Sequence, residues 1–232
     1  MQCNIFGTVN DFRPAEGPTK GDPMRRANAQ LQSDRRAEIL DAAERCFARA
    51  GFHQSSMQEI CAEAGMSPGN LYRYFPSKEA LIAGISERNR AQAAADFAEV
   101  DKASDFFTGF AALGRQYLVE RSDVEVALCL EIMAEARRNP DVRRIHQSIY
   151  SEVRAGLVGI LKRAAERGQL RPDLDFEKIV TVLLALGDGV ELRRAIDPSF
   201  SPESVIDMVL DLVRYALTDC VPATSRPQEQ SQ

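Results

Sequence analysis

The chain has 232 residues, 44% of them hydrophobic and 27% charged, and a formal charge of −5. That length can bury a substantial core in one large or two small domains, and the balance excludes a disordered chain and a very small disulfide scaffold. The five cysteines, Cys3, Cys46, Cys61, Cys129 and Cys220, form no CxxC pair and are odd in number, which suits a reducing compartment. The first residues lack the order of a signal peptide, and no run approaches the ~20 apolar residues of a membrane helix. A cytoplasmic protein without a membrane partner is expected. The charge is uneven: Met24 to Arg90 holds ten Lys/Arg against eight Asp/Glu, whereas the stretch from Ala91 onward holds seventeen against twenty-three. An anionic partner would therefore meet the first third of the chain.

Residues 1–32 are polar, broken by proline and glycine, and read as a disordered leader. A first helix is expected over Ser33–Ala50, with Ile39, Leu40, Ala43, Phe47 and Ala50 on one stripe and Gly51 as its stop. Ser56 opens a second, where Glu59 three residues on completes a capping box; Met57, Ile60, Cys61 and Ala64 face inward and Gly65 ends it. Ser67 caps a short third helix with Pro68 at its first position, carrying Leu71, Tyr72, Tyr74 and Phe75. Pro76 breaks that helix, and Ser77 caps another from Lys78 to about Glu99, with Leu81, Ile82 and Ile85 inward. Turn signals divide the rest into Asp105–Arg121, Asp123–Arg138, Asp141–Arg167, Asp175–Ile196 and Pro202–Asp219, and 221–232 reads as a flexible tail. The fold class is all-α with nine helices, since no stretch shows sustained alternation.

Ser56 to Lys78 carries the functional signal. Two short helices across a tight glycine-containing turn make a helix-turn-helix, whose second helix enters the DNA major groove. Met57, Ile60, Cys61, Ala64, Met66 and Leu71 supply its nucleus, which leaves Pro68, Gly69, Asn70, Tyr72, Arg73 and Tyr74 outward. Asn70 suits an adenine edge, Arg73 suits guanine or a phosphate, and the tyrosine hydroxyls suit phosphate oxygens. Ser56 offers a hydroxyl and a helix N-terminus to another phosphate. Lys78 opposes its own helix dipole, which favours a ligand-facing role. The pattern alone leaves an alternative open, because Tyr72, Tyr74 and Phe75 equally suit the core of a three-helix unit that never meets DNA. The local net charge of +2 is modest, so duplex binding would call for two copies.

The residues Ile39-Leu40-Asp41-Ala42-Ala43-Glu44, Phe47, Gly51-Phe52, Ser56, Glu59-Ile60, Ala64-Gly65 and the run Ser67 to Leu81, with its Leu-Tyr-x-Tyr-Phe-x-x-Lys-x-x-Leu pattern, resemble the DNA-binding domain of the tetracycline-repressor (TetR) family. The resemblance covers ~50 residues without a gap and fades beyond about Ile85. It implies a homodimeric transcriptional regulator, usually a repressor, bound to double-stranded DNA at a palindromic operator. It also places Ser56, Tyr72, Tyr74 and Lys78 on phosphates, and Pro68, Gly69, Asn70 and Arg73 nearest the bases. The domains are then a helix-turn-helix domain over 33–80 and an effector-binding and dimerisation domain over 81–220.

In the second domain, Asp175–Ile196 is apolar nearly all round and the last helix has two apolar stripes, so both are expected to be covered by a second copy as well as by their own chain. Leu183, Gly187, Val190, Val205, Met208, Val209 and Leu212 are the expected interface; a monomer that buries both stripes internally is the alternative. Phe106, Phe110, Tyr117, Met133, His146 and Tyr150 are candidates to line a cavity for a small, hydrophobic or aromatic effector. Such an effector would act by changing the ~34 Å separation of two recognition helices, with the helix from Lys78 as lever. A regulator without an inducer, controlled by a protein partner, is the second reading. Catalysis is not expected: His53 and His146 are far apart in sequence, no ligand spacing suits a metal, no nucleophile has an evident base, and no cofactor is implied.

Overall fold

The computed structural model describes residues 23–218, which hold nine α-helices and no strand. Of the described residues, 23–37 and 38–218 form two separate packing units. Helix α1 spans Pro23–Gln54 and begins ten residues before the expected Ser33. Residues 23–32 are thus helical rather than part of a disordered leader; residues 1–22, like 219–232 with the expected tail, lie outside the described residues. The early start reflects propensity: Pro23 suits a first helical position, and Met24, Arg25, Ala27, Ala29, Gln30 and Leu31 favour helix without needing an apolar face.

From Glu38 the packing is continuous. Ile39, Leu40, Ala43 and Phe47 of α1 are buried, as expected, whereas Ala50 is exposed. Gly51, at φ +80°, ends the regular helix as expected, and one further helical turn follows across the bend to Gln54. Helix α2, Met57–Glu63, starts with the Ser56–Glu59 capping box. Helix α3, Pro68–Tyr74, starts at Pro68, but the Ser67 hydroxyl makes no cap bond; only its carbonyl accepts, from Asn70 and Leu71. Helix α4, Lys78–Lys102, is capped by Ser77 through the Ala80 N–H and runs a turn further than the expected Glu99.

The expected helix 105–121 is two pieces. Helix α5, Phe106–Arg115, passes into a π-helical turn, Gln116–Glu120, an extra-residue distortion that a 3.6-residue period does not reveal. Helices α6, Asp123–Ala136, α7, Pro140–Glu166, and α8, Phe176–Ile196, follow near their expected bounds. The last expected helix begins as a 3-10 turn at Pro202–Ser204, and α9 occupies Ile206–Thr218. Helices α4 and α7 run side by side, and Gly156 admits the Phe97 ring where a Cβ would lie 2.5 Å from it.

Two apolar clusters hold this unit together. The near cluster joins α1, α2, α3 and the start of α4, and it continues into Leu128 and Ala136 of α6 and Val142 of α7. The far cluster gathers Val100, Phe106, Leu113, Leu157, Ile160, Leu161, Phe176, Val180, Val213 and Leu217. Along α4 the near cluster ends at Ile85 and the far one begins at Phe97; along α7 the corresponding residues are Ile145 and Val153. Polar groups occupy the interval, Asp96 on α4 and His146 on α7. Burying them is costly unless they are partnered, and their partners belong to the site.

Candidate nucleic-acid interface

Leu71 and Phe75 are sunk in the near cluster, and their burial fixes which way α3 faces. Pro68, Gly69 and Arg73 are exposed, Tyr72 is 49% exposed, and Asn70 and Tyr74 are half-buried. Among the described residues neither Tyr72 nor Arg73 is given a hydrogen bond or ion pair, so the outer face of α3 keeps its donors for something outside the chain. A two-turn helix propped on α2 with bare polar side chains has the dimensions of a major-groove reader.

Two of the expected phosphate contacts are engaged at home. The Ser56 hydroxyl accepts from the Glu59 N–H at 3.1 Å and donates to the Glu59 carboxylate at 3.0 Å, which also takes the Ser56 N–H at 2.7 Å. These bonds from Ser56 hold the Glu59 carboxyl below its ordinary pKa, so a negative charge stands at the α2 N-terminus where a phosphate was expected. The Lys78 ammonium donates to the Phe52 carbonyl and lies 4.4 Å from the centre of the Phe52 ring. Its cation is spent on the carbonyl end of α1 and an aromatic face. Periodicity and capping rules locate Lys78 on α4 but carry no sign of this tertiary contact.

The same connection between α1 and α2 is gripped from α6. Glu131 accepts the Phe52 N–H at 2.7 Å, and Glu135, 1% exposed, takes His53 Nε2 at 3.0 Å and Arg138 Nε at 2.6 Å. Two glutamates one turn apart on a helix carry no local sign of such contacts, since Glu131 bonds across 79 residues of sequence. On the α4 side, Arg88 bridges to Asp41 at 2.6 Å and Glu44 at 2.7 Å on α1.

The six candidate effector residues do not converge. Phe106 is wholly buried in the far cluster, with Phe107 and Phe110 each 5.3 Å away between ring centres. Phe110 also lines a cleft of about 370 Å³ between α5 and α9, whose rim carries Asp207, Asp211 and Arg214, the last with its guanidinium 4.4 Å from the Phe107 ring centre. Tyr117, in the π-helical turn, donates to the buried Asp96 carboxylate at 2.9 Å, and burial followed by this bond drives its phenol pKa upward. Gln92 donates to the other Asp96 oxygen at 2.8 Å. Met133 is half-buried on α6, and His146 and Tyr150 stand 6.3 Å apart on α7. Burial lowers the His146 pKa against the opposing charge of Asp188, and burial raises that of Asp188. Arg121 pairs with the buried Glu191, and burial beside this pair pushes the Cys129 thiol up to about 12. Among the described residues no group of three His, Cys, Asp or Glu is placed to hold a metal ion, and no helix is long and apolar enough to cross a membrane.

The expected interface residues of α8 lie toward their own chain, Val190 buried and Leu183 and Gly187 half-buried. Val190 is 8% exposed, Leu183 packs against the far cluster, and a Cβ on Gly187 would point at Leu118 of the same chain, 3.7 Å away. The exposed apolar residues of α8 are Val182, Leu192 and Ile196. A helix apolar all round gives no periodic cue to distinguish its two faces. On α9, Met208 is 70% exposed, Leu212 57%, and Tyr215 is also open, while Val205 and Val209 are half-buried.

These features define a helix-turn-helix DNA-binding regulator with an α-helical second domain. Residues 39–85 match the family profile described as bacterial regulatory proteins, tetR family, and residues 111–218 match that of the BetI-type transcriptional repressor, C-terminal. The transcriptional regulator UidR of Escherichia coli K12 is 34% identical over 155 residues, 67% of this chain and 79% of that protein. The repressor AcnR of Corynebacterium diphtheriae is 29% identical over 202 residues, 85% of this chain and 98% of its own. Among solved structures, Salmonella enterica GusR superposes with a TM-score of 0.69 at 33% identity, covering 79% of this chain and 95% of that one. The chain belongs to the TetR family of transcriptional regulators.

Proposed function

We propose that the protein is a homodimeric transcriptional repressor that holds a palindromic operator and releases it when a small effector enters the second domain. The observation that carries this reading is the unpartnered outer face of α3. Pro68, Gly69, Asn70 and Arg73 stand nearest the base edges, with Tyr72 and Tyr74 on flanking phosphates. One such face is a small epitope, and two copies on a twofold axis supply the affinity a single one lacks. The outward residues of α8 and α9, Val182, Leu192, Ile196, Met208, Leu212 and Tyr215, support the twofold contact: large apolar side chains this exposed call for cover. The proposed interface therefore draws on the outward side of α8 rather than on Leu183, Gly187 and Val190.

The effector reading rests on the polar interval between the two clusters. Two polar pairs lie within the second domain, Asp96 with Tyr117 and His146 with Asp188, groups of the kind that orient a ligand by hydrogen bonds. This favours an effector with polar or cationic groups of its own over a purely hydrophobic one.

Selection from random duplexes tests the DNA part: the recovered sequence should be palindromic, with half-site centres about one helical turn apart or a multiple of it. Recovery of nothing at low ionic strength defeats the reading. A thermal-shift screen over organic amines, acids and neutral compounds tests the effector part, and a hit should also release the selected duplex. A regulator stabilised by no small molecule would be the partner-controlled kind.

A further inference from the structure

The backbone of Phe52 is held at both its N–H and its carbonyl by residues remote in sequence. Its N–H goes to Glu131 on α6 at 2.7 Å, and its carbonyl accepts from Lys78 at the start of α4. The ring of the same residue is buried in the near cluster, 5.5 Å from Phe47 between ring centres, with the Lys78 ammonium over it. One residue further on, His53 Nε2 meets Glu135. All of these bonds fall just after Gly51, the positive-φ residue at which α1 changes direction before α2.

We infer that Glu131 is a positioning residue for operator binding: its carboxylate, acting on the Phe52 N–H, fixes the attitude of α2 and α3 relative to α6. Three observations support it. First, Phe52 is buried in the near cluster, so its N–H loses its partner within the protein when Glu131 is removed. Second, the bond joins the connection between α1 and α2 to a helix of the second domain, whereas the Arg45–Glu63 pair and the Ser56 and Ser77 caps link only neighbouring elements of the head and the start of α4. Third, α6 shares the near cluster through Leu128 and Ala136, so Glu131 sits on a support that cannot follow a loosened α1 end without repacking. Glu131 faces Phe52 rather than α3, so it acts through the placement of the reading helix and not on a base.

The inference rests on the homodimer proposed above, because placement matters only when two reading helices must fit one duplex together. Affinity is measured for the full-length protein on the palindrome selected from random sequence, and on a duplex carrying one half-site. Glu131→Ala should weaken binding to the palindrome roughly ten- to hundred-fold, the range for an orphaned buried N–H. Its half-site affinity should stay within about threefold, since each reading helix keeps its own contacts. Glu131→Gln, which retains an acceptor oxygen, should restore the palindrome to near wild type. Should Glu131→Ala fail to fold, Glu131→Leu carries the same comparison with the volume kept. An equal loss on both duplexes means that the head merely unfolds, and no loss on the palindrome means that the bond is idle; either overturns the inference. If the wild type itself does not prefer the palindrome, the dimer reading fails first, and this one with it.

Discussion

The head, from Ile39 to Tyr74, and the body, from Phe106 to Thr218, are both helical but solve different problems. The head buries Ile39, Phe47, Ile60 and Leu71 almost completely, and its helices α2 and α3 are seven residues each. The body leaves Glu191 and His146 wholly or partly inside and large apolar side chains outside. A close-packed unit with exposed polar groups is built to meet an invariant polyanion. A unit with polar groups inside and apolar ones outside is built to be completed by another molecule.

The sharpest way to break this contrast is at the body's outer face. Met208→Glu with Leu212→Arg places charges in the proposed twofold contact, expected to cost the assembly about 3–5 kcal/mol. Sedimentation should show a monomer with unchanged helix content, and persistence as a dimer would move the contact elsewhere. In the head, Leu71→Ala removes the anchor of α3 and should destabilise it by about 2–5 kcal/mol, abolishing duplex binding while the body still melts cooperatively. A smaller loss, about 1 kcal/mol, is expected from Ser56→Ala, which opens the capping box. If Ser56 serves only as a cap, restoring stability by lower temperature should restore full affinity.

The smallest effect belongs to His146. Burial depresses its pKa below the ordinary 6.5, so the folded state favours the neutral ring. The stability this contributes is complete above pH 6.5 and is lost as the pH falls through the lowered value. Thermal melts between pH 7.5 and 5.5 should therefore slope less in His146→Gln than in the wild type. An identical slope would show that the ring is solvated in solution.

The head was largely legible because its determinants are local. A serine with a glutamate three residues on, a proline at a first helical position and an apolar stripe each specify structure within a few residues. Gly51, Ser56 and Leu71 accordingly lie at the turns and core positions their pattern implies, although one further helical turn follows Gly51. The body was legible as helices but not as faces. Val182 and Val190 are chemically alike, and only the placement of α6, α7 and the π-helical turn decides which is covered. The grip of α6 on Phe52 was hidden for a related reason, since a pair of glutamates one turn apart looks the same whether it faces water or a buried amide. The early start of α1 escaped because it rests on propensity rather than on an apolar face.

Gly51 brings these strands to a point. A substituent there would strain a backbone at φ +80° and begin 3.0 Å from the Glu131 carboxylate. A single added methyl therefore attacks the bend and its clasp together. In a screen for variants that have lost control of a reporter, codon 51 should be hit as readily as the codons for side chains that touch the duplex, despite having no side chain of its own to lose.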